Sequence, residues 1–283
     1  MAAPVASGVL PARDLLLAAW SVAAPQLAWH IGVQVGVWIP CYLFARWGWP
    51  GHKDPVGVAD TFASIFLFPV LTCCAILAVS QTYQTVDLRW SGTTVPGHLF
   101  FYGFTARMML HTPMQFVVKM PKQQLVLMTI HHIVSTVCFG AAIVTGRMQF
   151  FGCFSGCCEM STIFLTNLCL FRDVTFKGKE LRDCLPRWIY ALNGVLLWLT
   201  FLVFRLMLFP LWLYIWYWDV VDFPALTWDR STDVERYLYP AVILLLLGLS
   251  TFWFFPLTKG LLKAVGAIGG NSRGRGEKQP KAD

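Results

Sequence analysis

The feature that most limits what this chain can fold into is a set of apolar stretches long enough to cross a bilayer, one of which, Gln124 to Thr145, contains two adjacent histidines, His131 and His132. A helix needs about 20 predominantly apolar residues to cross the hydrocarbon layer. Composition agrees: 57% of residues are hydrophobic, 13% are charged and the mean hydropathy is +0.58, whereas an ordinary soluble domain carries about 25% charged residues. A soluble fold cannot hide that much apolar surface, so the expectation is an all-α, polytopic membrane protein. An ionisable pair inside a span is a functional-site hypothesis, because lipid offers it no hydrogen-bond partner.

Seven spans are read from the hydropathy: Gln26 to Phe44, Thr61 to Ser80, Leu99 to Val118, Leu125 to Thr145, Met148 to Phe171, Trp188 to Pro210 and Leu238 to Leu262. The third, with Arg107 and His111, is the weakest. Residues 1–25 form an N-terminal segment whose apolar part, Ala12 to Ala24, is short enough to suit an interfacial helix. Residues 26–265 are read as one membrane domain. Residues 266–283, rich in Gly, Lys and Arg, read as a disordered basic tail. The N-terminus lacks the pattern of a cleaved secretory signal and is expected to be retained. Nine scattered cysteines do not suggest a disulfide framework.

Orientation follows from Lys and Arg. On alternating loops one side collects 15 of the 22, the other five, and Arg107 and Arg205 fall within spans. The positive-inside rule then places the C-terminus in the cytosol. Arg205, read as close to the opposite end of its span, is expected to snorkel to the interface. The opposite face also carries the acidic loop Asp219 to Arg236, beside an aromatic run, Trp212 to Trp218, that resembles an interfacial belt.

Several functions are disfavoured. The formal charge of +7 is spread over loops and tail with no basic stripe, so nucleic acid is not an expected partner. Cys153 and Cys157 share a helix face but lack a recognisable zinc spacing, and no metal is expected. Phosphate loops and a serine nucleophile elbow are absent, and no repeated half suggests a carrier. Membrane lipids are the expected partners, with homo-oligomerisation left open.

Residues three or four apart share a helix face. Arg107, His111 and Gln115 form such a stripe in the third span, the paired histidines lie with Ser135 and Thr136 in the fourth, and Ser155, Glu159, Thr162 and Thr166 line the fifth. Such side chains also serve as interhelical hydrogen-bond glue. Chemically, imidazole is a general base or an acyl-carrying nucleophile, and a buried carboxylate can orient it or take its proton. The candidate catalytic residues are therefore His131, His132 and Glu159, and the candidate substrate-binding residues Arg107, His111, Ser155 and Thr162. Glu159, the one acid well inside a span, would pair with a histidine or with Arg107.

The segment His131-HIVS-Thr136, followed by Glu159 to Asn167 (EMSTIFLTN), resembles the TLC domain shared by ceramide synthases, translocating-chain-associating proteins and the ceroid-lipofuscinosis family, over roughly Ala59 to Leu262. Paired histidines are catalytic in ceramide synthases, and His131 and His132 match them. The His-Asp and second Asp of those enzymes correspond here to Cys158-Glu159 and, nearby, Thr162. The resemblance implies a lipid acyltransferase of the endoplasmic reticulum with no bound cofactor and with acyl-CoA or another acyl lipid as donor. It equally implies the non-enzymatic alternative, a lipid-binding regulator of membrane composition or a cargo receptor for export from the reticulum.

Overall fold

The computed structural model describes residues 12–48, 54–118, 121–176 and 178–264. The expected basic tail, 266–283, and the first eleven residues lie outside this range. In chain order the elements are α1 (Ala12–Leu43, ending in a π turn, Phe44–Gly48), α2 (Pro55–Thr82), α3 (Val86–Ser91), α4 (Val95–Met114), α5 (Lys122–Thr145), α6 (Gln149–Gly156) and α7 (Glu159–Asp173). A two-stranded hairpin follows, β1 (Thr175–Phe176) with β2 (Lys179–Glu180), and then α8 (Leu181–Cys184) and α9 (Arg187–Phe201). A π turn (Leu202–Met207) joins α9 to α10 (Leu208–Asp222), and a second (Val234–Leu238) opens α11 (Tyr239–Ala264).

Among the described residues, six helical stretches are long and apolar enough to cross a membrane: Leu17–Gly48, Pro55–Thr82, Lys122–Thr145, Gln149–Asp173, Arg187–Asp222 and Val234–Leu262. The seventh expected span is α4, a 20-residue helix that falls short on hydropathy because it carries His98, Arg107 and His111. It is sheltered instead by α1, α2, α5 and α6, which pack around it. The result is an all-α bundle of seven long rods.

Two boundaries differ from expectation. The short helix expected over Ala12 to Ala24 is not separate: α1 runs unbroken through Pro25. Its 32 residues rise about 48 Å at 1.5 Å per residue, more than the hydrocarbon layer needs. The sixth span likewise continues past Pro210 to Asp222. A proline inside a helix lacks an N–H and crowds the carbonyl four residues back, and the wider π turn just before it accommodates that disturbance. The aromatic run Trp212 to Trp218 is consequently helical. Trp212 is buried and donates to the Phe151 carbonyl at 2.9 Å, while Tyr214, Tyr217 and Trp218 face outward.

The core is aromatic. Phe100, Phe101 and Phe104 of α4 close on Phe139 of α5 with ring centroids 5.7, 5.1 and 5.0 Å apart. Phe151 meets Trp90 and Trp212 edge-on at 5.5 and 5.0 Å. Glycine makes the α4–α6 approach feasible: a Cβ on Gly156 would lie 2.1 Å from Phe100 Cζ, and one on Gly152 2.3 Å from Phe101 Cζ. At one end, two carboxylates tie loops to rods. Asp219 accepts from the Arg89 guanidinium and, at 3.1 Å, from Trp90 Nε1; Glu235, fully buried, accepts from Arg147 Nε at 3.0 Å. Arg89 and Arg147, on the face poor in basic residues, are thus neutralised by the acidic residues beside them.

Gly156→Val should lower stability by about 1–3 kcal/mol, the range for overpacking a tight contact, despite valine's better helix propensity. The check is the thermal unfolding midpoint of detergent-solubilised protein, followed by tryptophan fluorescence.

Candidate functional site

The orientation of α5 decides whether its histidines meet lipid or protein. Its outward stripe is Val126, Ile130, Ile133 and Val137, all exposed, at steps of four, three and four. His132 and Ser135 are buried on the inward side, and His131 lines a partly open cavity of about 480 Å³. The cavity lies between α2, α4, α5, α7, α9, α11 and the π turn after α9. Six of the seven candidate residues line it: Arg107, His111, His131, His132, Glu159 and Thr162.

Ser155 does not. The fifth span is not one helix, because the chain tightens between α6 and α7. Cys158 N–H bonds back to the Ser155 carbonyl at 3.1 Å and Met160 N–H to Cys157 at 3.1 Å, three-residue rather than four-residue steps. That tight turn resets the helical register, so the four-residue spacing that aligned Ser155 with Glu159 no longer applies. Ser155 Oγ donates to the Gly152 carbonyl at 2.8 Å and faces a separate pocket of about 60 Å³ among Phe101, Cys138 and Tyr239.

The best-connected group in the cavity is an ion pair absent from the sequence reading. Arg107 Nη1 and Nη2 each donate to Asp60 at 2.8 Å, the fork geometry that binds a carboxylate with both arms. Nη2 also donates to Ser64 Oγ at 2.8 Å. His111 Nε2 lies 3.3 Å from Asp60 Oδ2, and its ring stands 5.0 Å from that of His132. Gln115 Nε2 donates to His132 Nδ1 at 2.7 Å. Arg107, His111, Gln115, Asp60 and His132 therefore form one connected polar wall. Arg107 pairs with Asp60 and so is not the partner of Glu159, one of the two alternatives expected for that acid. Asp60 was legible in principle: Asp54-Pro55 has the form of an N-cap followed by proline at the first helical position, and Asp54 does cap α2 by accepting from Gly57 N–H at 3.0 Å.

Facing this wall stands a set with far fewer contacts. The Nδ1 of His131 is buried with no hydrogen-bond partner. Glu159 is 4% exposed and accepts only from Cys158 Sγ, at 3.6 Å, with no cationic side chain within 4.0 Å among the described residues. Neither histidine is hydrogen-bonded to it. Arg205 is the second correction. It does not snorkel to an interface; it is buried half-way along the long rod Arg187–Asp222, where the π turn carries it. Its Nε donates to Ser161 Oγ at 2.8 Å and its Nη2 to Thr162 Oγ1 at 3.2 Å. Ser161, Arg205 and Asp60 are cavity residues that sequence spacing missed. Among the described residues no group of three or more His, Cys, Asp or Glu side chains is arranged to hold a metal.

A family model describing the TLC domain matches residues 58–259. The chain belongs to the TLC-domain family. The match encloses both polar walls, Asp60 at its start and Trp253 and Leu257 near its end. No curated protein and no solved structure matches the chain significantly. The TLC domain and the multi-pass helical architecture support a membrane protein concerned with lipids.

Asp60→Asn should destabilise the protein by about 3–5 kcal/mol, because it leaves the Arg107 guanidinium buried without its countercharge. Replacing Asp60 and Arg107 together by leucine should cost much less. Denaturation curves of the two variants in the same detergent provide the comparison, and equal losses would refute the pairing argument.

Proposed function

We propose that this TLC-domain protein is a lipid acyltransferase that works inside the bilayer, with acyl-CoA or another acyl lipid as donor. The observation that carries the proposal is the division of labour in the cavity. His132 is held by Gln115 in a connected polar wall, whereas His131, which lines the same space, has a buried Nδ1 that makes no hydrogen bond. Buried polar atoms are rarely left unpartnered, and those that are call for a reason such as catalysis.

In this reading His131 is the general base. It takes the proton of an acceptor hydroxyl or amine as that atom attacks the acyl carbonyl; the new ester or amide bond forms, the bond to the donor's thiolate breaks, and the imidazolium returns the proton to the departing sulfur. Glu159 accepts a hydrogen bond from the acceptor's polar group and positions it. His111 and His132 act indirectly: tied to Asp60 and Gln115, they hold the wall that His131 and Glu159 face. Leu165, Leu197, Phe201, Trp253 and Leu257 supply the apolar part of the lining, suited to hydrocarbon chains. The predominance of basic residues on one face supports a cytosolic C-terminus, and the endoplasmic reticulum is the proposed location, where a cytosolic donor reaches the site.

One observation favours a second reading, lipid binding without turnover: Glu159 touches neither histidine, so no preassembled acid–base pair is present. That alternative makes the protein a lipid-binding regulator of membrane composition or an export receptor.

The two readings separate on purified protein in lipid nanodiscs supplied with radiolabelled oleoyl-CoA and membrane lipid acceptors. Acyl transfer requires that His131→Ala lower turnover by about 10²–10⁴-fold, the typical contribution of a general base, with folding unchanged; Glu159→Gln should lower it less. Transfer at the wild-type rate by His131→Ala would exclude the base role, and no transfer by the wild type with retained lipid binding would favour the regulator.

A further inference from the structure

Most arginines that reach the interior have a carboxylate of their own. Arg107 holds Asp60, Arg89 holds Asp219 and Arg147 holds Glu235. Arg205 breaks the pattern. It is 8% exposed and lines the 480 Å³ cavity, yet its hydrogen bonds go only to two neutral hydroxyls, Ser161 and Thr162, and no carboxylate lies within 4.0 Å among the described residues. Its remaining contact is the Phe201 ring, whose centroid lies 5.2 Å from the guanidinium carbon.

A cation buried at membrane depth without a countercharge is costly, and such residues usually mark a substrate or ion path. The backbone around it points the same way. Arg205 sits within the π turn Leu202–Met207, and single π turns inside helices occur frequently at functional sites because they redirect side chains that α geometry would turn aside. The two hydroxyls bind Nε and Nη2, so they fix the guanidinium plane while leaving Nη1 without a hydrogen bond. A planar fork held in this way is suited to an anionic oxygen group, phosphate or carboxylate. The surrounding lining, with Leu165, Leu197, Phe201, Trp253 and Leu257, suits hydrocarbon.

We infer that Arg205 is the docking point for a lipid with an oxyanion headgroup, a phosphate or a carboxylate, bound with its head at Ser161, Thr162 and Arg205 and its chain along the apolar side of the cavity. The site has the parts such a ligand needs: a cation fixed by Ser161, whose own hydroxyl donates to the Cys158 carbonyl at 2.8 Å, the Thr162 hydroxyl and an apolar wall, with the acid Glu159 in the same cavity and able to hold a donor group on the same headgroup. A neutral long-chain lipid would leave the charge uncompensated. The inference rests on this cavity being the substrate site of the acyl transfer proposed above, and names the class of lipid that it takes.

The test reads binding rather than turnover, so the two ideas fail separately. Full-length protein in dodecyl maltoside micelles, whose uncharged headgroup carries no phosphate, is titrated with oleoyl lysophosphatidate, with oleate and with monoolein, which share the chain and differ in the head. The wild type should prefer at least one charged lipid over monoolein by about tenfold or more, the effect of one desolvated charge pair. Preference for lysophosphatidate assigns phosphate and preference for oleate assigns carboxylate. Arg205→Gln should abolish the preference, Arg205→Lys should keep part of it, and His131→Ala should keep it whole even where turnover is lost. Equal binding of all three lipids by the wild type, which needs no variant to fold, would overturn the inference, as would a preference that survives in Arg205→Gln.

Discussion

The lack of hydrogen-bonding partners in hydrocarbon governs this structure. Every polar group carried into the bundle must find its partner within the protein, and the helices are arranged accordingly. Asp60 of α2 meets Arg107 and His111 of α4, Gln115 meets His132 of α5, and Asp219 and Glu235 draw Arg89 and Arg147 onto the loop side. Dispersion between aromatic rings fills the space between rods but does not choose their rotation. A pair such as Asp60–Arg107 does, since turning either helix would leave a charge in an apolar setting.

Against that background the unsatisfied groups stand out. His131, Glu159 and Arg205 line a cavity whose other residues, Asp60, Arg107, His111 and His132, are tied to one another and to Gln115. A connected wall is held in place and a sparsely bonded one is available, and the juxtaposition of the two is what a binding site requires. The local devices that bring them together are irregular. The tight turn between α6 and α7 starts a new helix at Glu159, and the π turn after α9 holds Arg205 toward it. Both occur where the strict α repeat would have carried these residues elsewhere.

Resemblance and geometry contribute different things. The TLC match covers the membrane domain that holds the cavity, and the contacts of Glu159 and Thr162 give this cavity its own character. Thr162 is bonded to Arg205 and presents a neutral hydroxyl to the cation. That contact leaves the arginine's charge free to meet a ligand.

By itself the sequence determined that the chain is a helical membrane protein, because twenty apolar residues in a row leave lipid as the only solvent that does not oppose them. It also determined the stripe Arg107, His111 and Gln115 and the presence of the two histidines, since spacing along a single unbroken helix translates directly into a shared face. Tertiary structure decided the rest. Asp60 as the partner of Arg107, the inward placement of Arg205 and the removal of Ser155 from the site all depend on contacts between helices or on breaks within them. A helical repeat carries no information about neighbours, and it loses its register at the first turn that departs from 3.6 residues.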